Sequence, residues 1–205
     1  KAQPTCADST AAAGAIALQK GVMETAGVPI AVPGEWTSAT LATKLWYPEA
    51  VTTPVDFDQI MERVGSGEFE AGVIIHEGQV TYEEQGYYSV VDFGKWWAET
   101  QDGLPLPLGG NAIRRDLGEE HIHEISRILR DSIAYALEHR EEALLYAEKY
   151  NRGLTRELTD KFVGMYVNQR TLDYGDDGRE AVRRFLDMGE KSGAIPPVAD
   201  PEFIR

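Results

Sequence analysis

Ala71-Gly72-Val73-Ile74-Ile75-His76-Glu77-Gly78 is a short apolar run that ends on an imidazole, and its reading decides the fold. Ala71 to Ile75 reads as a buried strand with His76 at its carboxyl end. Toward the N-terminus, Asp56 is placed to cap a short helix through Ile60, Met61 and Val64, ended by Gly65-Ser66-Gly67. Before it, Val28-Pro29-Ile30-Ala31-Val32 reads as another short strand, stopped by Pro33 and Gly34. Thr37 and Ser38, hydroxyl residues of the N-cap type, then open an apolar helical pattern that runs to Leu45. Toward the C-terminus, Tyr87 to Phe93 is expected as a third strand, and Leu108 to Arg114, behind Pro105 and Pro107, as a fourth. Strands alternating with helices imply an α/β fold with a mostly parallel sheet.

After Asp116 the pattern turns helical. Ile122, Ile125, Leu129, Ile133 and Leu137 step by three and four along one face, with a break near His139 before Leu144, Leu145 and Tyr150. Two further helices are expected, from Thr155 through Phe162 and Tyr166, and from about Gly178 to Lys191 with Gly193 as its C-cap. The first 27 residues are ambiguous: Ala11-Ala12-Ala13 favours helix, whereas Ala15-Ile16-Ala17-Leu18 reads as a strand with Gln19-Lys20-Gly21 as its exit. The strand is the preferred reading.

Twenty Lys and Arg against 34 Asp and Glu give a formal net charge of −14, which repels a phosphate backbone over most of the surface. Nucleic acid is therefore not an expected partner. A small anion still is, because helix N-termini and a few cations can hold one against the general field. Cys6 is the only cysteine, so no intramolecular disulfide and no multi-cysteine zinc cluster can form. A reducing, cytoplasmic location is expected. Lys1 to Thr10 has no apolar signal core, and no later stretch approaches the roughly 20 apolar residues of a membrane-spanning helix, so no membrane partner is expected.

In open parallel sheets ligands bind beyond the carboxyl ends of the strands. Two such ends stand out. The loop from Pro33 to Ala39 offers the N–H groups of a helix N-terminus and the hydroxyls of Thr37 and Ser38, a set suited to a carboxylate. The Ile75-His76-Glu77-Gly78 end offers an imidazole able to take a proton near neutral pH. Each has a plainer reading: a histidine after a strand is more often a polar end residue than a catalyst, and Thr37 and Ser38 are explained as helix caps without any ligand. Trp96 and Trp97 read as packing residues divided between core and surface. Glu120 and His123 give a single Glu-x-x-His spacing, short of the two a di-iron bundle needs, and read as a solvated helix face. Asp173 to Gly178 has the look of a calcium loop, but Gly175 and Arg184 occupy its third and twelfth positions. No metal is expected.

Segment after segment resembles the 1,4-dihydroxy-6-naphthoate synthase family. The strings are Ala71-Gly72-Val73-Ile74-Ile75-His76-Glu77-Gly78-Gln79-Val80-Thr81-Tyr82, Val91-Asp92-Phe93-Gly94-Lys95-Trp96-Trp97, Gly103-Leu104-Pro105-Leu106-Pro107-Leu108-Gly109-Gly110, and Arg114-Arg115-Asp116-Leu117. Ala31-Val32-Pro33-Gly34 before Thr37-Ser38-Ala39, and Met165-Tyr166-Val167-Asn168 with Asp173-Tyr174-Gly175, extend the likeness from about Val28 to the C-terminus. The resemblance implies a two-lobed fold similar to type II periplasmic binding proteins, with mostly parallel sheets and a helical C-terminal part. Residues 1–27 would be a remnant of the first lobe, 28–115 the second α/β lobe carrying the site, and 116–205 the helical part packing on both. It further implies a cofactor-free carbon–carbon lyase of menaquinone biosynthesis that splits cyclic dehypoxanthinyl futalosine, a small anionic aromatic substrate, to 1,4-dihydroxy-6-naphthoate. The family's proton acceptor falls on His76, and part of its substrate contact on Thr37, Ser38 and Ala39. Family members carry more N-terminal lobe than this chain, including a Ser-Pro-Cys-Pro-Asn-Asp type segment that Thr5 to Thr10 echo imperfectly. The runner-up readings are a non-catalytic solute-binding protein of the same fold and the sister family that dehydrates chorismate.

Overall fold

A computed structural model describes residues 14–17, 27–150 and 153–204. Strands β1 (Gly14–Ala17), β2 (Pro29–Val32), β3 (Val51–Pro54), β4 (Ala71–Ile74) and β5 (Tyr88–Asp92) form one sheet in the order β3-β2-β4-β1-β5. β2 pairs in parallel with both β3 and β4, whereas β1 runs antiparallel to β4 and to β5. Four strands therefore point one way and β1 alone points the other. The sheet is mixed and not mostly parallel as expected: two of its four pairings are antiparallel, because a strand from the segment 1–27 is threaded into it. That segment thus shares a sheet with residues 28–115. The readings placed on Ala11–Ala13, Gln19–Gly21 and Thr5–Thr10 lie outside the described residues.

Alternation along the short strands builds two apolar layers. Ala15, Ala17, Ile30, Val32, Ala71 and Val73 face helices α1 (Ser38–Trp46), α3 (Phe93–Thr100) and α8 (Gly175–Lys191), whose Leu41, Trp97 and Phe185 complete that layer. Ile16, Ala31 and Ile74 face α2 (Ile60–Gly65), which contributes Ile60, Met61 and Val64. With both faces covered, the central strands are apolar on every residue, which is why they read so plainly. Gly72 faces α2, where a Cβ would lie 2.5 Å from Ile60 Cγ2, so its lack of a side chain lets that helix close on the sheet.

Two expectations along the strands fail. Residues 104–114 contain no strand: Pro105 and Pro107 offer no N–H, and Gly109 and Gly110 bring no side chain to pack. β3 was not anticipated, since Val51-Thr52-Thr53-Pro54 is a largely exposed edge strand whose proline and threonines mask it. Asp56 does not cap α2 either; the N-cap is Gln59, with no side-chain bond. Helix α3, also unanticipated, starts on Asp92, whose carboxylate accepts from Lys95 N–H at 3.0 Å.

The helical part comprises α4 (Glu119–Glu138), α5 (Arg140–Ala147), α6 (Arg156–Tyr166), the one-turn α7 (Gln169–Leu172) and α8. The break falls at His139, and Thr155 caps α6 through Leu158 N–H, as the sequence suggests. α8 begins three residues earlier than expected, at Gly175, and Gly193 follows it at φ +73°. Glu120 and His123 are exposed on α4. Asp173 and Asp177 of the calcium-like run bind Arg179 and Arg170 at 2.9 and 2.8 Å instead. Among the described residues no helix is long and apolar enough to cross a membrane, and no cluster of three metal-ligating side chains occurs.

Trp97 and Phe185 meet edge to face, with ring centroids 5.2 Å apart and both side chains buried, so they tie α8 to the sheet through α3. Phe185→Ala should lower unfolding stability by about 3–5 kcal/mol. Denaturant titration checks this, and a loss under about 1 kcal/mol would mean the contact is not part of the core.

Candidate active site

The Val32 end of β2 enters a loop with two hydrogen-bonded turns. Gly34 lies at φ +119°, a region open to glycine, and its N–H reaches back to Val32 O at 2.9 Å. Its carbonyl accepts the buried Thr40 hydroxyl at 2.6 Å and the Thr37 hydroxyl at 3.3 Å. Thr37 is the N-cap of α1, accepting from Thr40 N–H at 3.2 Å. The first-turn N–H groups of a helix have no partners within it, and the cap uses the one on Thr40, so those of Ser38 and Ala39 form the rest of the helix end. Ser38 is half-buried and Ala39 buried, so this turn is held rigidly against the core.

His76 leaves the sheet beside this loop. β2 and β4 are parallel neighbours in register Ile30 to Ala71 and Ala31 to Gly72, so both chains exit over the same edge. The expected adjacency of the β2 and β4 carboxyl ends, one entering the Thr37 turn and the other carrying His76, is therefore present in the fold. His76 is half-buried and caps a single 3-10 turn, Glu77–Val80. Its Nδ1 accepts the Gly78 N–H at 2.9 Å. A nitrogen that accepts carries no proton, so the neutral ring is protonated on Nε2, which is buried. Gly78 is required for this geometry: a Cβ there would lie 2.7 Å from His76 Cε1 and 2.3 Å from Met61 Sδ.

Three residues that the sequence did not single out for a role hold the His76 turn. Gln79 Nε2 donates to Ile74 O at 2.9 Å, and the Tyr166 hydroxyl lies 2.9 Å from Ile75 O and 3.1 Å from Gln79 Oε1. Phe57 stands with its ring 6.2 Å from the imidazole. An open cleft of about 400 Å³, lined by Pro33, Gly34, Pro54, Val55, Asp56, Phe57 and Arg63, lies along the ends of β2 and β3. Phe57 thus connects cleft and imidazole, while Arg63, bonded to Glu68 and Gln59, gives the lining a cation. Tyr166 and Gln79 carried no local signal, since their partner carbonyls are defined only once α6 packs on the turn. Trp97 is fully buried and Trp96 half-buried against the same core.

A family model described as menaquinone biosynthesis matches residues 11–191, a span that starts before Val28, where the sequence likeness was first legible. A 1,4-dihydroxy-6-naphthoate synthase from Thermus thermophilus is 43% identical over 178 residues, 87% of this chain and 65% of that protein. Another from Streptomyces coelicolor is 33% identical over 176 residues, 83% of this chain and 62% of that one. The chain thus spans a little under two thirds of the length of the curated relatives it matches. Among solved structures, a protein from Archaeoglobus fulgidus is 42% identical and superposes with a TM-score of 0.84 over 89% of this chain and 68% of its own. A periplasmic sulfonate-binding protein from Methylobacillus flagellatus, 13% identical, superposes with a TM-score of 0.57 over 88% and 58% of the two chains, a likeness of fold alone.

Burial pushes the Tyr166 hydroxyl up to about 12, and the charge of Glu77 adds to the rise. A raised value in the folded state means that the neutral phenol is favoured by folding: this contribution is complete below the unfolded tyrosine value near pH 10 and is lost as pH rises toward 12. Unfolding stability should therefore fall between pH 10 and 12 more steeply in the natural chain than in Tyr166→Phe. Parallel chevrons in the two proteins over that window would show that Tyr166 is not held as a phenol.

Proposed function

This chain belongs to the menaquinone biosynthesis family, and we propose that it carries the cleft of a cofactor-free carbon–carbon lyase that forms 1,4-dihydroxy-6-naphthoate from cyclic dehypoxanthinyl futalosine, with His76 as general base. The observation that carries the reading is the parallel β2–β4 pairing, which sends the helix N-terminus at Thr37 and the imidazole at His76 out over one sheet edge. The finer architecture belongs to the same proposal: two lobes of the type II periplasmic-binding-protein kind, with the described sheet as one of them. The sulfonate-binding protein's fold likeness supports that, and the β3-β2-β4-β1-β5 order with one reversed strand describes this chain's share of it.

In this reading the N–H groups of Ser38 and Ala39, with the Ser38 hydroxyl, hold the aryl carboxylate, Thr37 shapes the turn through its bonds to Gly34 and Thr40, and Arg63 contributes positive charge along the cleft wall. Holding the ring there brings an acidic C–H or O–H of the substrate to His76. The proton passes to the imidazole, the electron pair it leaves opens the ring and drives carbon–carbon cleavage, the small sugar-derived fragment departs and takes a proton back from the imidazolium, and the naphthalene ring becomes aromatic, which makes the step downhill. To accept a proton the ring must release the Gly78 N–H. Losing one neutral hydrogen bond costs about 0.5–1.5 kcal/mol, whereas a base contributes about 10²- to 10⁴-fold, equivalent to roughly 3–5 kcal/mol. The exchange favours catalysis.

Incubation with cyclic dehypoxanthinyl futalosine should yield the naphthoate product, with kcat/KM falling toward acid pH because an imidazolium cannot accept a proton. His76→Asn keeps an acceptor for the Gly78 N–H, as an Asn side chain bonds two residues on. It should therefore leave stability and carboxylate binding near normal while lowering turnover by about two to four powers of ten. A folded His76→Asn protein with normal turnover would end the base assignment.

Titration with arylcarboxylates should shift the backbone amide signals of Ser38 and Ala39 ahead of others. Shifts confined to other elements, with this turn unmoved, would remove it from the substrate site.

A further inference from the structure

The two consecutive peptides leading into the histidine are each bonded by a side chain from outside β4. The two carbonyls leading into it, Ile74 O and Ile75 O, accept from Gln79 Nε2 and from the Tyr166 hydroxyl, each at 2.9 Å. The tyrosine also reaches Gln79 Oε1 at 3.1 Å, so the three groups close a ring of bonds around the turn whose other product is the Gly78 to Nδ1 bond. Tyr166 is the last residue of α6, 90 positions along the chain from His76, and its ring is buttressed by Phe162 at 5.1 Å, edge to face. Rotation of the Ile75–His76 peptide would break the tyrosine bond and swing the imidazole, because Cα of His76 belongs to that peptide plane.

We infer that Tyr166 and Gln79 are positioning residues for His76, fixing the peptide that sets the ring's direction and thereby its tautomer. The inference rests on the base assignment above for its effect on rate, but not for its effect on the ring. With a single proton facing two acceptor oxygens, Tyr166 can serve only as a phenol, and burial keeps it one through the neutral range. The role cannot pass to phenylalanine, which fills the space without the hydroxyl, nor at position 79 to methionine, which matches the length of glutamine without its amide.

The experiment compares the natural chain with Tyr166→Phe and Gln79→Met by nitrogen-detected NMR of the His76 ring and the Gly78 amide, and by steady-state kinetics over pH. Each variant should move the Gly78 amide signal and bring the ring from the Nε2–H tautomer toward a mixture. Each should also lower kcat by about ten- to a hundredfold with little change in KM, since the contact aims the base and does not hold the substrate. In a His76→Asn background, Tyr166→Phe should have no further effect on kcat, because the residue through which it acts is gone. If either folded variant keeps the natural ring and Gly78 signals, or if Tyr166→Phe lowers kcat equally in the His76→Asn background, the positioning role is overturned. If the natural chain makes no naphthoate, the functional reading fails, and the ring signals still decide the positioning.

Discussion

The parallel pairing of β2 with β4, Ile30 to Ala71 and Ala31 to Gly72, is the constraint on which the arrangement at the sheet edge depends. It is short, but both strands are buried on both faces, so a slip of one residue would move every side chain into the wrong layer. Gly72 contributes by being small enough for α2 to close on the sheet, and Phe57, just before that helix, stands beside the imidazole. The register that makes the core also sets the separation of the α1 N-terminus from His76.

Chemistry at the edge then follows from which polar groups are already committed. Thr37 and Thr40 spend their hydroxyls on Gly34 O and on each other, so the loop is stiff and the helix end is presented by backbone groups. His76 spends Nδ1 on Gly78, which orients the ring. A net charge of −14 opposes any long-range pull on anions, so recognition of one would have to rest on local groups such as the α1 N-terminus.

Elements buried on both faces were legible in the sequence. Val28 to Val32 and Ala71 to Ile75 announce themselves as unbroken apolar runs, and the Thr37 cap and the His139 break follow local rules of helix ends. What escaped was structure that depends on a distant partner. β3 is an edge strand carrying two threonines and a proline, so nothing in its own residues distinguishes it from a loop. Leu108 to Arg114 has the opposite fault: apolar residues behind two prolines suggest a strand, but the segment has no neighbour in the sheet to pair with. His76 and Thr37 could be singled out because strand ends and helix caps are local features, whereas Tyr166 gains its meaning only from a carbonyl 91 residues away.

The placement of β1 has a consequence for how the chain reaches this structure. Gly14 pairs with Ile74 and with Asp92, so the earliest described residues lie in the interior of the sheet and bridge segments made some 60 and 78 positions later. Contacts so distant in sequence must overcome a loop-closure entropy that β2, α1 and β3 do not face. Folding should accordingly start within residues 28–74, where strand and helix alternate at short range, and insert β1 as a late event. Until then the β4 edge and the facing edge of β5 are open, and their exposed backbone is a template for pairing between chains. The same strand that completes the sheet is therefore the one whose tardiness decides whether the nascent protein folds or aggregates.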